Sequence, residues 1–402
     1  MLETSGDTLS SEFMIPKLYE IYAEDREVYE KADCFINAGD YVASLLIGGG
    51  NVHSRAYAVI KEHYSDENGG YPARELFASL GEGFADVIEE KLVPELNEVG
   101  ECVGTLCAEW ARKTGLSESV SVATPLIDAQ SSLAAMGLQR GSVLLVAGTS
   151  AVLAVNADKD KKVPRVHSIG VGSSVPNTAT IESGIAAMGD LFAWFVDNCV
   201  PASYKEKADE SGLGIHAYLR SLAEKKRVGE SGLIALDWWN GNRCIIPSDR
   251  LSGMIVGMRL SSTPEDIYRA LLESAAYGIR RNLDNYRENG IEVGSVAVTG
   301  GIAHKDPFFM QIMADVLGVP VRVLSVKQSA ALGASIYGAA AAGVYPDVRS
   351  ASMAMRCGCS AEYMPNEEDC AVYEKIYELY KKLYDGFGNS ELMSELFSLR
   401  TR

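Results

Sequence analysis

Residues 122–155, VATPLIDAQSSLAAMGLQRGSVLLVAGTSAVLAV, bring together the features that decide the fold. An acidic residue, Asp128, stands among apolar and small residues, and a helical segment follows it. The strand-like run SVLLVA then reaches the turn Gly148-Thr149-Ser150, and a second apolar run leaves that turn at once. We predict a hairpin whose tip directs backbone N–H groups and two hydroxyls toward an anion. The stretch indicates a carboxylate base facing a phosphate, and a buried aspartate beside an ordinary hairpin is the alternative.

The composition is that of a large globular protein. With 402 residues, of which 47% are hydrophobic and 23% charged, the chain exceeds the usual size of one core, so two domains are expected. The net charge of −17 argues against nucleic acid or an anionic membrane as a partner. No apolar run is long enough to span a bilayer, and the N-terminal residues lack the pattern of a signal peptide. A cytoplasmic protein is therefore expected.

The motifs that the sequence lacks narrow the chemistry. Its eight cysteines form no C-x-x-C pair and its five histidines no metal-binding pair, so no metal site is predicted. There is no P-loop, no G-x-G-x-x-G and no G-x-S-x-G. P-loop, Rossmann, serine-hydrolase and zinc chemistry are therefore not first choices. A base, an anion-binding hairpin and a glycine turn remain, and they fit a phosphoryl transferase of the actin-like, cleft-closing kind.

Strands and helices alternate after the hairpin, which indicates an α/β domain. The clearest helix runs from Thr263 to about Glu288, because Thr263 is a good N-cap and Pro264 suits the first helical position. The strand SVAVT then runs into Gly300-Gly301 before another helix. A glycine turn between the end of a strand and the start of a helix is where such sheets bind ligands.

The first 120 residues differ from the rest of the chain. They are rich in helices and contain no apolar run that would form the middle of a sheet, whereas strands are predicted further on at 142–147, 151–155 and 166–175. Helical faces without a sheet have little to cover them. We therefore expect part of a domain to be missing from this region.

Several stretches resemble the FGGY family of sugar kinases. They are ALDWWNGNR (235–243), TPEDIYRALLESAAYGIR (263–280), VTGGIAHKDPFFMQIMADVLGVPV (298–321) and SAALGASIYGAAAAGV (329–344). Three more resemble the ribulokinase branch of that family, namely SSEFMIPK (10–17), NAGDYV (37–42) and ESGIAAMGDLFAWFV (182–196). The resemblance runs through nearly the whole chain, and several of the motifs are specific.

The resemblance implies an α/β fold of the actin-like, RNase H-like ATPase type, whose two lobes close over ATP, Mg²⁺ and an open-chain ketopentose. It implies a partial N-terminal, sugar-binding lobe over residues 1–139 and a C-terminal, nucleotide-binding lobe over residues 140–402. Members of the family begin with a D-x-G-T-x-S motif that binds phosphate and metal, and this chain lacks the motif. The pair Asp7 and Thr8 has neither the glycine nor the strands of the motif. The first part of the N-terminal lobe is therefore expected to be absent.

The resemblance assigns three residues to the sugar. Asp128 would be the general base that takes the proton from the terminal hydroxyl, while Lys61 and Glu182 would hold the hydroxyls and the carbonyl. Without the resemblance, Lys61 would be interpreted as a solvated surface charge and Glu182 as a structural carboxylate. Two departures bear on this site: Val59 replaces a family glycine, and Ser183-Gly184-Ile185 replaces the expected Ala-Gly-Gln.

The resemblance places the nucleotide on the C-terminal lobe. Gly148 and Thr149 match the phosphate-binding hairpin. The positions that match the surroundings of the nucleotide are Gly189, Gly301 and Lys305, with Ala193 facing it. A simple helix contact is the alternative for Gly189.

The implied activity is the phosphorylation of L-ribulose by ATP to L-ribulose 5-phosphate, a step of arabinose catabolism. Because the chain lacks the D-x-G-T-x-S motif, a non-catalytic remnant that binds nucleotide or partners is one alternative. A kinase for D-ribulose, xylulose or another polyol is a second, since Ile185 replaces a polar residue. The sequence leaves a homodimer open.

Overall fold

The computed structural model describes residues 10–93 and 95–400, so Asp7 and Thr8 lie outside the described residues. The helices of its first part are α1 (Met14–Glu24), α2 (Arg26–Lys31), α3 (Ala38–Leu46), α4 (Arg55–Lys61), α5 (Arg74–Leu80), α6 (Val87–Lys91), α7 (Ala108–Thr114) and α8 (Asp128–Ala135). Two short strands, β1 (Cys102–Thr105) and β2 (Ser121–Ala123), pair antiparallel in this part. As the sequence predicts, the region is mainly helical.

Strands and helices alternate from residue 142 onward. The strands are β3 (Ser142–Ala147), β4 (Ala151–Asp158), β5 (Ser168–Val171), β6 (Thr178–Ile185), β7 (Ile234–Leu236), β8 (Met254–Val256), β9 (Ser295–Thr299), β10 (Val321–Leu324) and β11 (Cys359–Tyr363). The helices are α9 (Gly189–Asn198), α10 (Ala202–Glu210), α11 (Ile215–Ala223), α12 (Pro264–Glu288), α13 (Gly301–Lys305), α14 (Pro307–Leu317), α15 (Ser329–Ala341), α16 (Val348–Met355), α17 (Glu367–Gly388) and α18 (Leu392–Arg400). The predicted α/β class is confirmed. Across the described residues, no helix is both long and apolar enough to cross a membrane.

The chain divides into two compact units. The first comprises the residues up to Arg140 together with 154–182 and 328–357, and the second comprises 141–153, 183–327 and the residues from Gly358 onward. Strands β4 and β6 therefore each contain residues of both units. The domain boundary that the sequence places between residues 139 and 140 stays a prediction.

In the first unit, a close helix pair fixes the element that begins with Asp128. Helix α8 lies so near α15 that a Cβ on Gly333 would collide with the carbonyl oxygen of Ser131. The hydroxyls of Ser132 and Ser329 lie 3.0 Å apart across the same contact. Small residues on both helices permit this approach, and the contact holds α8 in place.

The strands of the second unit form part of a mixed sheet. Strands β11, β10, β9, β3 and β4 are neighbours in that order, with β9 parallel to both β10 and β3 and β11 antiparallel to β10. The predicted helix α12 is confirmed: it begins at a capping box formed by Thr263 and Asp266, with Pro264 in the first turn. The predicted glycine turn is also present, because Gly300 has a φ of +106° between β9 and α13.

Candidate functional site

The first unit contains the three residues predicted to bind sugar. Asp128 is the first residue of α8, and its side chain is exposed, with Oδ1 accepting a hydrogen bond from the backbone N–H of Ala129 at 2.8 Å. Just before it, the carbonyl oxygens of Pro125 and Leu126 accept hydrogen bonds from the hydroxyls of Ser54, at 2.7 Å, and Tyr57, at 3.2 Å. The carboxylate is thus open to a ligand on a backbone that other elements hold.

Glu182 lies within β6 and is only 5% exposed. One carboxylate oxygen accepts a hydrogen bond from Nε2 of Gln130 at 3.4 Å, and the other accepts one from the hydroxyl of Ser168 at 3.3 Å. Burial raises the pKa of Glu182, and the charge of Asp128 adds to this, whereas the charge of Lys61 acts in the opposite direction. The charges of both other residues that the sequence assigns to the sugar therefore act on the pKa of Glu182.

Lys61 ends α4 and is half-buried rather than freely solvated. Its ammonium group lies 5.4 Å from the centroid of the Phe13 ring. The nearby Val59 is buried, and a Cβ on Gly170 of β5 would lie 2.9 Å from it, so the side chain that replaces the family glycine packs on this strand. Lys61 thus stands at the edge of a packed surface, where its charge can meet a ligand.

A buried polar cluster, which the sequence analysis did not predict, lies behind α4. His53 contacts the carbonyl oxygen of Val93 through Nδ1 and the carboxylate of Glu62 through Nε2, the latter at 2.8 Å. Both partners can accept a hydrogen bond, so this arrangement favours the form of His53 in which both ring nitrogens donate. Burial opposes the positive charge of that form, but the hydrogen bond and charge of Glu62 raise the pKa of His53 overall.

Asp40 belongs to the same cluster and is 1% exposed. It lies in the first turn of α3, and its carboxylate accepts a hydrogen bond from the backbone N–H of Ser54 at 3.0 Å. Burial raises the pKa of Asp40 to about 7. No local motif indicates the cluster, because its members are far apart in sequence and each has an ordinary neighbourhood.

The second unit contains a cavity of about 620 Å³. Four of the five residues predicted to bind nucleotide line it, namely Gly148, Gly189, Gly301 and Lys305. In α9, Phe192 lines the cavity, whereas the adjacent Ala193, which was predicted to face the nucleotide, is exposed. Its wall therefore includes the glycine turns that follow β3 and β9.

The turn after β3 is tied to the start of α9. The N–H groups of Met188 and Gly189 donate to the carbonyl oxygens of Thr149 and Gly148, at 2.8 and 3.1 Å. The N–H of Gly148 donates within the turn, to Ser150 at 3.0 Å. A Cβ on Gly189 would lie 2.7 Å from the carbonyl oxygen of Gly148, which explains the glycine. This turn thus presents a rigid backbone surface to the cavity.

Helix α11 forms one side of the cavity, and its sequence was not recognised as part of the site. Arg220 donates to the carbonyl oxygen of Lys305 at 2.8 Å and lies 3.6 Å from the carboxylate of Asp306. His216 lies 3.1 Å from the hydroxyl of Tyr268, and burial lowers the pKa of this histidine. The only signal for α11 is an amphipathic run, IHAYLRSLA, between two charged stretches.

Over residues 10–93 and 95–400, no group of three or more His, Cys, Asp or Glu side chains is suited to hold a metal ion. Asp306, which lines the cavity, caps α14 through the N–H of Phe309 and faces Arg220. A magnesium ion that arrives with a nucleotide keeps several waters and needs only one or two carboxylates besides the phosphates. This donor set therefore suits a metal carried by the ligand.

The sequence has relatives of established family. Residues 143–342 match the model described as FGGY family of carbohydrate kinases, C-terminal domain. The chain is 35% identical over 405 residues to the ribulokinase of Bacillus licheniformis, and this match covers 99% of the chain and 73% of the relative. It is 37% identical over 400 residues to the ribulokinase of Mycolicibacterium smegmatis, with coverages of 98% and 70%.

A solved structure has a similar fold. The xylulose kinase from Rhodospirillum rubrum superposes with a TM-score of 0.80 at 25% sequence identity. The superposition covers 99% of this chain and 75% of that one. The predicted actin-like, two-lobe kinase type of fold is confirmed by this likeness.

Proposed function

The chain belongs to the FGGY family of carbohydrate kinases, and from this premise we propose that it phosphorylates L-ribulose. In the proposed reaction the terminal hydroxyl oxygen attacks the γ-phosphorus of MgATP, the bond to the β-phosphate oxygen breaks, and the hydroxyl proton passes to the protein. The products are L-ribulose 5-phosphate and ADP. The relatives named ribulokinase support this choice of sugar.

The observation that carries the proposal is the group of three charged side chains in the first unit. Asp128 presents an exposed carboxylate, which suits a general base that receives the hydroxyl proton late in phosphoryl transfer. Glu182 accepts hydrogen bonds, whereas Lys61 only donates them. An open-chain ketopentose offers both hydroxyl donors and a carbonyl acceptor, so the two side chains complement it.

The cavity of the second unit supports ATP as the donor. Its volume of about 620 Å³ is in the range of small-molecule and cofactor pockets. Glycine turns allow phosphates to approach the backbone closely, and Lys305 adds a positive charge. Magnesium bound to the phosphates would neutralise charge on the transferred group, and we propose MgATP as the substrate.

Coupled measurement of ADP release tests the proposal. We expect release that depends on L-ribulose and falls by about 10²- to 10⁴-fold in Asp128→Asn, because that is the usual effect of a general base. Calorimetry should find the affinity for ATP unchanged in this variant. The matched control is Asp347→Asn, which also removes an aspartate carboxylate from the first unit. Asp347 is the N-cap of α16, and asparagine can form the same cap.

Two outcomes would contradict the proposal in different ways. ATP binding without release stimulated by any pentulose would indicate a non-catalytic, nucleotide-binding protein. Faster release with D-ribulose or xylulose than with L-ribulose would show that the sugar is wrong and the reaction class right. A panel of pentuloses at matched concentrations separates these cases.

A further inference from the structure

Phe13 has no role in the function proposed so far, although it belongs to the SSEFMIPK stretch that resembles ribulokinases. It occupies the N-cap of α1, where Ser, Thr, Asp and Asn are preferred, and it makes no side-chain capping hydrogen bond. Its side chain is nevertheless fully buried, at 0% exposure. The reason for a phenylalanine at this position therefore lies in what its ring contacts.

The ring of Phe13 is in contact with three side chains that can carry positive charge. The ammonium of Lys61 lies 5.4 Å from the ring centroid, within the distance of a cation–π interaction. The rings of His63 and His167 lie 5.1 and 5.3 Å away, the first edge-on at 79°. Burial lowers the pKa of His63 to about 4, so this histidine is neutral at pH 7.

These neighbours join the two segments that carry the proposed sugar ligands. His63 follows Lys61 by two residues at the end of α4. The backbone N–H of His167 donates to the carbonyl oxygen of Glu182 at 2.8 Å. Phe13 thus packs between the chain segment that bears Lys61 and the strand that bears Glu182.

We propose that Phe13 is the positioning residue for Lys61, with its ring face holding the ammonium where a sugar oxygen can meet it beside Glu182. A lysine ammonium on four methylene groups samples many rotamers in water, and an aromatic face restricts them. The inference rests on the proposed function, because it assumes that Lys61 binds the sugar.

A series of fluorinated phenylalanines at position 13 tests the proposal. One, two and three fluorine atoms withdraw electrons from the ring face in steps while its shape changes little, so a packing role would be insensitive to the series. We expect the dissociation constant for L-ribulose, measured by calorimetry, to rise stepwise by a total of between about twofold and thirtyfold. The affinity for ATP should stay constant.

The control is the same series at Phe84, which is also fully buried in the first unit and packs against Tyr19 and Tyr22. The affinity for sugar should not change there. Phe13→Leu, which keeps an apolar side chain without a ring face, should weaken sugar binding as much as the trifluorinated ring does.

The outcomes separate this proposal from the one on which it rests. If the unmodified chain binds L-ribulose and the fluorinated series at position 13 leaves that affinity flat, Phe13 does not position Lys61. If the unmodified chain binds no pentulose, the proposed function fails, and the inference about Phe13 fails with it.

Discussion

The candidate sugar region and the candidate nucleotide region differ in the chemical groups that form them. The sugar region of the first unit is made of charged side chains, among them the exposed Asp128 and the buried Glu182. The nucleotide region of the second unit includes glycine turns, where a Cβ on Gly189 or Gly300 would meet a carbonyl oxygen. The first region should therefore respond to the loss of a charge at constant shape, and the second to the addition of one methyl group at constant charge.

The largest effect that would sharpen this comparison is on the pH dependence of stability. Burial raises the pKa of Asp40 to about 7 from an ordinary value of 3.8. Between pH 3.8 and about pH 7, Asp40 is ionised in the unfolded chain and protonated in the folded chain. The stability that the protonated carboxyl contributes is therefore complete below about pH 4 and is lost as the pH rises through 7.

We expect Asp40→Asn to escape this loss. Relative to the variant, the wild type should lose unfolding free energy on the order of 4 kcal/mol between pH 4 and pH 7, from a shift of about three pKa units. Chemical denaturation of both proteins across that range measures the difference. The exposed control Asp347→Asn should give a difference from wild type that is constant above about pH 5. Parallel curves for Asp40→Asn and the wild type would show that burial does not raise the pKa of Asp40.

The second effect compares two adjacent glycines of the nucleotide region. Gly300 has a φ of +106°, and its Cβ would collide with the carbonyl oxygen of Ala147, whereas a Cβ on Gly301 would meet open space. We expect Gly300→Ala to lower the unfolding free energy by about 2 to 4 kcal/mol, from backbone strain and overpacking.

Gly300→Ala should also weaken ATP binding at least about tenfold, which corresponds to about 1.4 kcal/mol. Gly301→Ala should change stability by less than about 0.5 kcal/mol. Thermal unfolding and ATP calorimetry measure both variants. If the two substitutions behave alike, the close approach of backbone at Gly300 is not what shapes the cavity.

The sequence predicted the second region better than the first, for a physical reason. Helix α12 and the turn at Gly300 are specified by neighbouring residues, so the capping residues and glycines of the sequence predict them. The family assignment that rests on these stretches is confirmed. Strand β6 was missed because its sequence, TATIESGI, alternates polar residues into a fully buried strand instead of forming an apolar run. The strand predicted at 166–175 is present as β5 but is shorter, spanning Ser168–Val171.

The parts of the candidate site that sequence could not predict depend on distant contacts. The ring of His53 contacts the carbonyl oxygen of Val93 and the carboxylate of Glu62, and nothing near His53 in sequence indicates these partners. The same holds for Arg220, whose partner is the carbonyl oxygen of Lys305. The roles of the predicted site residues, Asp128 among them, stay predictions until the variants are measured.

The smallest effect concerns how the first region holds its base. The hydroxyl of Tyr57 donates to the carbonyl oxygen of Leu126 at 3.2 Å, two residues before Asp128. Burial raises the pKa of Tyr57 to about 12, and the charges of Asp40 and Asp128 add to this. Tyr57 lies on α4, the helix that ends at Lys61, so this hydrogen bond ties the proposed base to the helix of the proposed sugar ligand.

We expect Tyr57→Phe to lower the unfolding free energy by about 1 kcal/mol, the usual contribution of one hydrogen bond. Sugar-dependent ADP release should fall several-fold at saturating ATP, because Asp128 would sample more orientations. The matched control is Tyr204→Phe in the second unit, which also removes one hydroxyl hydrogen bond, to Glu265 at 2.9 Å. It should cost similar stability without affecting the dependence on sugar. Equal effects of both variants on that dependence would mean that stability alone, and not the position of Asp128, accounts for the loss.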